Sequence, residues 1–482
     1  MEWISVPFIG ERSDGQGVNR FAYIFSESYY YDDSLPYNLN KVIVYECKSI
    51  PEEAFYHQNI EEIIIRDAIT IGRTAFYEVD GLSIVTLPEG LIEIGSYAFS
   101  HCNSLTQINI PDSVRYIGRD AFRQTSVMQQ EDGVYYVDRW AVDNNPYSIN
   151  SVTLRKDTVG LSAYAFSSDY MDDSESKLSA IVLPEGLKYI NNDAFYGCQH
   201  LTSVHIPASV VSIGNSIFAY TKVSSVTVSS DNETYHSIDN CLIETNTKCL
   251  ISGIATSIIP DDESVETIEQ EAFVGTDIVS LRIPDSVKTI GYHAFWGCSK
   301  LQNVVLSENL MDIDTEAFYY CENLQGNEYD NAYYLGSDTN PYMFLLKSKN
   351  KEITSCIIHE NTKFIGAAAF ADCIHLLNIS IPRNVVYIGV WAFEDCSNLT
   401  NVTLDKNNKL TYIGARAFFG CSNLSSVVIG INVEVINAYA FYGCSLDDIY
   451  YEADKSDWNQ IQFGESNYGL YSAQMHYNYN IQ

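Results

Sequence analysis

The chain has little positive charge. Its 482 residues include 28 Lys and Arg against 62 Asp and Glu, a formal charge of −34 at pH 7. Nucleic-acid backbones and anionic lipid surfaces are held by clustered basic side chains. No such cluster is evident, so nucleic acid is excluded as a partner. The short motifs of common chemistries are missing as well: no C-x-x-C, H-E-x-x-H, G-x-x-x-x-G-K-S/T or G-x-S-x-G occurs. The nine histidines are scattered without paired spacing, so no metal ligands are expected. Asp32–Asp33, Asp172–Asp173 and Asp261–Asp262–Glu263 lack the alternating spacing of a calcium loop and read as solvated loop charge. No apolar run approaches the length of a membrane-spanning helix, and no basic segment leads into an apolar one as in a signal peptide. These absences predict no enzyme, no cofactor, no metal and no membrane insertion.

What the chain does have is a repeat. LTQINIPDSVRYIGRDAF ends at Phe122, LTSVHIPASVVSIGNSIF at Phe218, and LLNISIPRNVVYIGVWAF at Phe393. The closing Phe recurs at 55, 76, 99, 122, 166, 195, 218, 273, 295, 318, 370, 393, 418 and 441, most often 23 residues apart. A period of 20–29 residues with apolar positions in register is that of a leucine-rich solenoid. Within one copy, Ile108 and Ile110 alternate with polar Gln107 and Asn109, the pattern of a strand buried on one face. Pro111 has no N–H to donate and ends that strand. Val114 and Ile117 return to the core. The position of Gly118 is Gly eight times across the copies, otherwise Asn191, Asn437, Asp314, Ser162, Glu269 or Pro51. Most of these residues favour N-caps, and Pro51 forbids positive φ, so a capped helical or 3₁₀ turn is expected there. One coil cannot bury its own apolar stripe. Stacking closes the core and pairs the strands of successive coils.

Eight of the twelve cysteines share one repeat position, three residues after the Phe: 102, 198, 298, 321, 373, 396, 421 and 444. Stacking would bring them near one another with parallel Cβ vectors, poor geometry for bridging, so they read as packed thiols. Cys356 falls on an inward strand position. Cys241 and Cys249 could face each other across a hairpin, and their redox state stays open.

The I-G-x-x-A-F-x-x-C ending and the L-P-E-G-L and I-P-D-S-V turns resemble the BspA-like leucine-rich repeats of bacterial surface proteins, over nearly the whole chain. The resemblance implies an α/β solenoid, mostly β and right-handed. One face would carry a parallel sheet, with short helical or 3₁₀ turns opposite and hairpin inserts. It also implies exposure on the cell and a role in adhesion.

In order, residues 1–38 read as a partial first coil and insert, 39–445 as the solenoid, and 446–482 as a C-terminal cap of short helix and edge strand. Inserts near 127–150, 229–260 and 324–352 read as hairpins that leave the sheet intact, with ITSCII (353–358) resuming it as a strand. The N-terminal stretch has no capping element, which suggests a downstream fragment or a missing leader.

Candidate binding residues come from two sets. One is the outward strand positions, a ladder of Ser, Thr and Asn with a few larger residues, among them His205, Arg282 and Tyr450. Such a ladder could read a partner by hydrogen bonds, or could simply suit a wet sheet. The other is the insert tyrosines Tyr29, Tyr30, Tyr31, Tyr135, Tyr136, Tyr333 and Tyr334, since Tyr joins apolar area to a hydroxyl at low entropic cost. The expected function is non-catalytic binding or adhesion at a bacterial surface, by a monomer, with a protein ligand or alternatively a glycan. An intracellular leucine-rich scaffold in the cytoplasm is the competing expectation.

Overall fold

The computed structural model describes residues 2–7, 20–21, 39–144, 149–167 and 176–480. It is a mostly-β solenoid with almost no helix, divided into two compact units, Met1–Asn246 with Ile251–Thr256, and Thr247–Leu250 with Ser257–Gln482.

In the first unit, Trp3–Val6, Lys41–Val44, Glu62–Ile65, Ile84–Thr86 and Gln107–Ile108 form one parallel sheet. Period-two alternation sends Val42, Val44, Ile63, Ile65 and Val85 inward, all nearly inaccessible to solvent. A second parallel ladder joins the two-residue strands Ser49–Ile50, Thr70–Ile71, Glu93–Ile94 and Tyr116–Ile117. Sequence reading had only placed Ile117 in the core. Its hydrogen-bonded ladder is an addition.

The third side of each coil carries turns where a capped helical or 3₁₀ turn was expected. Alternate residues there do two jobs. Tyr97, Phe99 and His101 donate their N–H groups to Arg119, Ala121 and Arg123 of the next coil, at 2.9, 2.8 and 2.7 Å. Ala98, Ser100 and Cys102 close turns onto carbonyls three residues back. This arrangement needs positive φ two residues before the Phe, as at Tyr97 (58°), and two residues after it, as at His101 (63°). The position before the Phe has positive φ in every copy except that of Phe318. The repeat glycine has a different reason. A Cβ on Gly118 would stand 2.3 Å from the Ser96 nitrogen, so it is the closeness of the preceding coil's backbone that demands Gly.

The repeat phenylalanines stack in columns. Ring centroids of Phe55, Phe76 and Phe99 follow at 5.0 and 4.9 Å, and those of Phe370, Phe393, Phe418 and Phe441 at 5.1 Å throughout. Each ring is fully buried, which stabilises by about 1.5–3 kcal/mol, with about 0.5–1.5 kcal/mol more per favourable ring pair. The repeat cysteines serve the same column. The thiols of Cys102, Cys396 and Cys421 donate to the carbonyls of Phe76, Phe370 and Phe393 in the preceding coil at 2.9–3.1 Å. Every cysteine is a thiol, Cys241 and Cys249 included. Burial pushes Cys102, Cys198 and Cys396 up to about 12, so they stay protonated and unreactive at neutral pH.

The inserts are more than hairpins. In the first unit Gln129–Glu131, Val134–Val137 and Trp140–Asn144 make an antiparallel meander whose last strand pairs in parallel with Gly160–Leu161 and founds a new ladder. In the second unit Asn327–Tyr329, Ala332–Leu335 and Phe344–Ser348 repeat the design, joining Phe364–Ile365. The expectation that inserts leave the sheet unbroken is therefore corrected: the Gln107–Ile108 sheet and the Tyr116–Ile117 ladder both stop at the first insert. ITSCII is corrected too. It forms no strand, because its neighbour is the insert's turn: Asp330 accepts from the Ile357 N–H at 2.7 Å and Asn331 donates to the Ser355 carbonyl at 2.8 Å. Its Cys356 is nonetheless buried.

The second unit also holds a five-stranded parallel sheet, Asn378–Ile381, Asn401–Leu404, Ser426–Ile429, Asp448–Tyr451 and Gln474–His476. Short helices Lys455–Trp458 and Tyr468–Ser472 lie between its last two strands. Asn467, fully buried, closes the last turn: its Oδ1 accepts from the Phe441 N–H at 3.1 Å and its Nδ2 donates to the Asn437 carbonyl at 2.9 Å.

Candidate functional site

The outward face of that five-stranded sheet carries two rows of side chains, one of them polar throughout. Parallel register aligns Asn378, Asn401, Ser426, Asp448 and Gln474 in one row, and Ser380, Thr403, Val428, Tyr450 and His476 in the next, within reach of one another across each strand pair. The row is internally bonded. Asn401 donates to Asn378 Oδ1 at 3.0 Å, and Ser426 donates to Asn401 Oδ1 at 3.1 Å. Remaining lone pairs and protons face solvent at fixed spacing. At the end of the second row Tyr450 stacks on His476 at 4.8 Å and meets Tyr479 at a tilt, also at 4.8 Å, and His476 Nε2 lies 2.7 Å from the Asp448 carboxylate. The row thus runs from small amides into an aromatic cluster.

The other expected residues are dispersed. His205 is exposed on its strand, its Nδ1 2.9 Å from the Thr227 hydroxyl. Arg282 is exposed but already occupied: both terminal nitrogens bind the Asp338 carboxylate, at 3.0 and 3.2 Å. Tyr136 and Tyr334 are corrected as contact residues, being 2% and 0% exposed. In each meander strand the two adjacent tyrosines point to opposite faces, so one of each pair enters the core. The Tyr136 hydroxyl accepts from the Arg155 N–H, with the Arg155 guanidinium 4.0 Å over its ring. Burial raises the Tyr334 hydroxyl well above its ordinary value. Tyr135 and Tyr333 are the half-buried partners. Tyr333 sits opposite Lys347 and lines a cavity of about 490 Å³ with Tyr319, Tyr320, Phe344 and Lys347. Tyr29, Tyr30 and Tyr31 lie outside the described residues, as do Asp32–Asp33 and Asp172–Asp173.

A second cavity escaped sequence reading. About 590 Å³ in volume, it opens on the short ladders of the second unit, where the Asp312–Ile313 strand stops and the Tyr387–Ile388 strand stands beyond the insert. Tyr292, Tyr387 and Tyr412 line it with Asp312, Asp314 and Glu316. Burial raises Asp314 above the usual carboxylate range, and burial plus the charge of Asp314 raises Glu316. His293 approaches Glu316 at 3.6 Å, but its own burial lowers its pKa. No local signal marks this place, since Asp312 and Tyr387 are 75 residues apart.

Among the described residues, no group of three or more His, Cys, Asp or Glu is placed to hold a metal ion, and no helix is long and apolar enough to cross a membrane.

No curated protein matches the chain in sequence. Solved structures of similar fold include a leucine rich cell surface protein from Faecalibacterium prausnitzii, 24% identical over 96% of this chain and 90% of that one, with a TM-score of 0.31. A leucine-rich repeat protein from Bacteroides ovatus is 22% identical over 82% and 88% of the two chains, TM-score 0.30, and one from Eubacterium ventriosum is 19% identical over 80% and 78%, TM-score 0.31. The family model for the BspA type leucine rich repeat region matches residues 48–172, 173–257, 248–339 and 340–468. With nearly the whole chain so matched, this protein belongs to the BspA-type leucine-rich repeat family.

Proposed function

We propose that the chain is a non-catalytic binding module that recognises protein partners, displayed at a bacterial cell surface and used in adhesion. The observation that carries this reading is the amide and hydroxyl row Asn378–Asn401–Ser426, continued by Asp448 and Gln474 and flanked by the Tyr450–His476–Tyr479 cluster. A flat, pre-ordered row of donors and acceptors beside rigid aromatic rings loses little entropy on binding, as suits a recognition surface. Family membership supports the same reading, and extended repeat arrays serve broad protein recognition.

Two measurements test it. Intact expressing cells are shaved with protease and immunoblotted; loss of the band supports surface display, whereas a band protected until lysis points to the cytoplasmic scaffold. Beads carrying the chain are then applied to a panel of immobilised matrix and serum proteins. Retention lost on Thr403→Arg with Ser380→Arg, but kept after deglycosylation of the captured protein, supports protein recognition through this face. Retention lost on deglycosylation alone would make the ligand a glycan.

A further inference from the structure

We propose that the cavity between the Asp312–Ile313 and Tyr387–Ile388 strands binds an organic cation, an arginine or lysine side chain presented by a basic protein segment. This deepens the binding-module reading but does not depend on where the chain resides.

The cavity arises from how the third insert interrupts the ladder. At the first insert the corresponding joint is sealed. There the strand Tyr116–Ile117 ends, Trp140 of the meander founds the new ladder, and two strands on stands Asn191. The Asn191 side chain reaches back 74 residues to accept from the Ile117 N–H at 3.0 Å, and donates to the Arg115 carbonyl at 3.0 Å. At the third insert the ladder runs from Phe344 through Phe364 to Tyr387, and the residue in the place of Asn191 is Gly389. Gly389 has no side chain to bridge the joint; it is crossed instead by the Ala367 N–H, which donates to the Thr315 carbonyl at 2.9 Å, and by Lys363, and Thr315 lines the cavity. The copy lining it is that of Phe318, the one whose loop lacks positive φ before the Phe. Its Asp314 side chain instead accepts from the Glu316 N–H at 2.8 Å, which holds both carboxylates at the cavity wall.

The lining selects the ligand. Three tyrosine rings offer electron-rich faces, which attract ammonium and guanidinium groups. Three carboxylates supply the sign, and the lining contains no Lys or Arg to neutralise them. The neighbouring cations are turned elsewhere: Lys288 binds Glu266 at 2.6 Å, and Lys363 donates to the Leu310 carbonyl at 3.4 Å. The Asp312 carboxylate accepts from the Tyr387 hydroxyl, and the Asn437 amide donates to the Tyr412 hydroxyl at 2.8 Å, so two of the rings are held in place before a ligand arrives. The carboxylates do not converge for metal chelation. A volume of about 590 Å³ exceeds what an inorganic cation needs and suits an amino-acid side chain with its neighbours. The field of a chain carrying −34 would draw basic segments toward it.

The test uses calorimetric titration of the full chain with Nα-acetyl-arginine amide, with a tetra-arginine peptide, and with Nα-acetyl-glutamine amide as the neutral probe. Both cationic probes should bind and the neutral one should not, with affinity falling as salt rises. Tighter binding of the peptide than of the amide supports a protein segment as the source, whereas equal affinities overturn that half of the proposal in favour of a free small cation. Asp312→Asn with Glu316→Gln should weaken arginine amide at least tenfold. The single variant Tyr292→Ala, at an exposed side chain, should weaken it several-fold. Glu360→Gln, an exposed carboxylate outside the cavity, should leave it unchanged. Equal loss in Glu360→Gln, or no binding of either cation, overturns the proposal. Arginine binding that persists in the Thr403→Arg, Ser380→Arg variant separates this cavity from the sheet face.

Discussion

Two joints in this protein solve the same problem and end differently. At the first insert the broken ladder is sealed by Asn191, whose amide stands in for a missing peptide group. At the third, Gly389 occupies that place and a cavity remains. The architecture on either side is alike: a meander, a large aromatic residue at the head of its last strand, then two-residue strands. Trp140 covers Gly160 and stacks on Tyr189 at 5.8 Å, while Phe344 abuts Gly366 and meets Phe318 edge-on at 6.0 Å. The two joints thus differ at this position, and the third carries the candidate binding cavity.

The likeness of the joints is broken most severely at their aromatic heads. Trp140→Ala and Phe344→Ala should each cost about 3–5 kcal/mol, read from the urea midpoint of the transition of the unit concerned. If only one of them mattered, the two joints would not be built alike. Next comes the seal. Asn191→Ala leaves the Ile117 N–H and the Arg115 carbonyl unpaired, for about 2 kcal/mol in the same assay. Gly389→Ala should cost a similar amount, about 1–3 kcal/mol, for the opposite reason. Its Cβ would meet the Ala367 nitrogen at 2.8 Å.

Smaller effects sharpen the comparison. Cys396→Ala removes a thiol that donates to the Phe370 carbonyl at 3.1 Å, whereas Cys373, just past the third insert, has the Ser348 hydroxyl at 3.5 Å. The first should cost about 1 kcal/mol, the second less, since thiols are weak donors and the longer bond is weaker still. The least effect is electrostatic. Burial holds Asp314 and Glu316 above their unfolded pKa values. Their contribution to stability is therefore fully present below the unfolded carboxylate range and is lost as pH rises through the folded values. Asp314→Asn with Glu316→Gln should raise the melting temperature at pH 7 and leave it unchanged at pH 3. A gain that persists in acid would show that charge is not the cause.

The solenoid was legible because its cause is local and repeated. The alternation around Ile108, the stop at Pro111 and the closing Phe122 each act within a few residues, and recurrence amplifies them. The turn ladder was misread because Gly118 satisfies two readings, a cap and a close backbone approach, and only the neighbouring coil decides. The inserts were seen, but not their Asp132–Gly133, Asp239–Asn240 and Asp330–Asn331 turns; positive φ at Asp132, Asp239 and Asp330 marks the tight hairpin corners that such pairs favour. These corners show where each meander begins. The burial of Tyr136 and Tyr334 was also readable from strand alternation in VYYV and AYYL. The cavity was not. Asp312 and Tyr387 meet only across the insert that lies between them, and nothing near either residue records the other.

Asn467 carries a lesson about modularity. A growing stack always leaves one coil whose turn has no successor, and the usual remedy is a dedicated capping fold. Here one side-chain amide supplies the acceptor that the Phe441 N–H would otherwise take from a following coil. Asn467 acts within one segment that also pairs the strands Gln462–Phe463 and Gln474–His476 onto the preceding ladders, so the coils upstream can change in number while that segment is kept whole. An engineer could excise or duplicate whole coils upstream of Phe441, keep the segment that carries Asn467, and obtain recognition surfaces of chosen length.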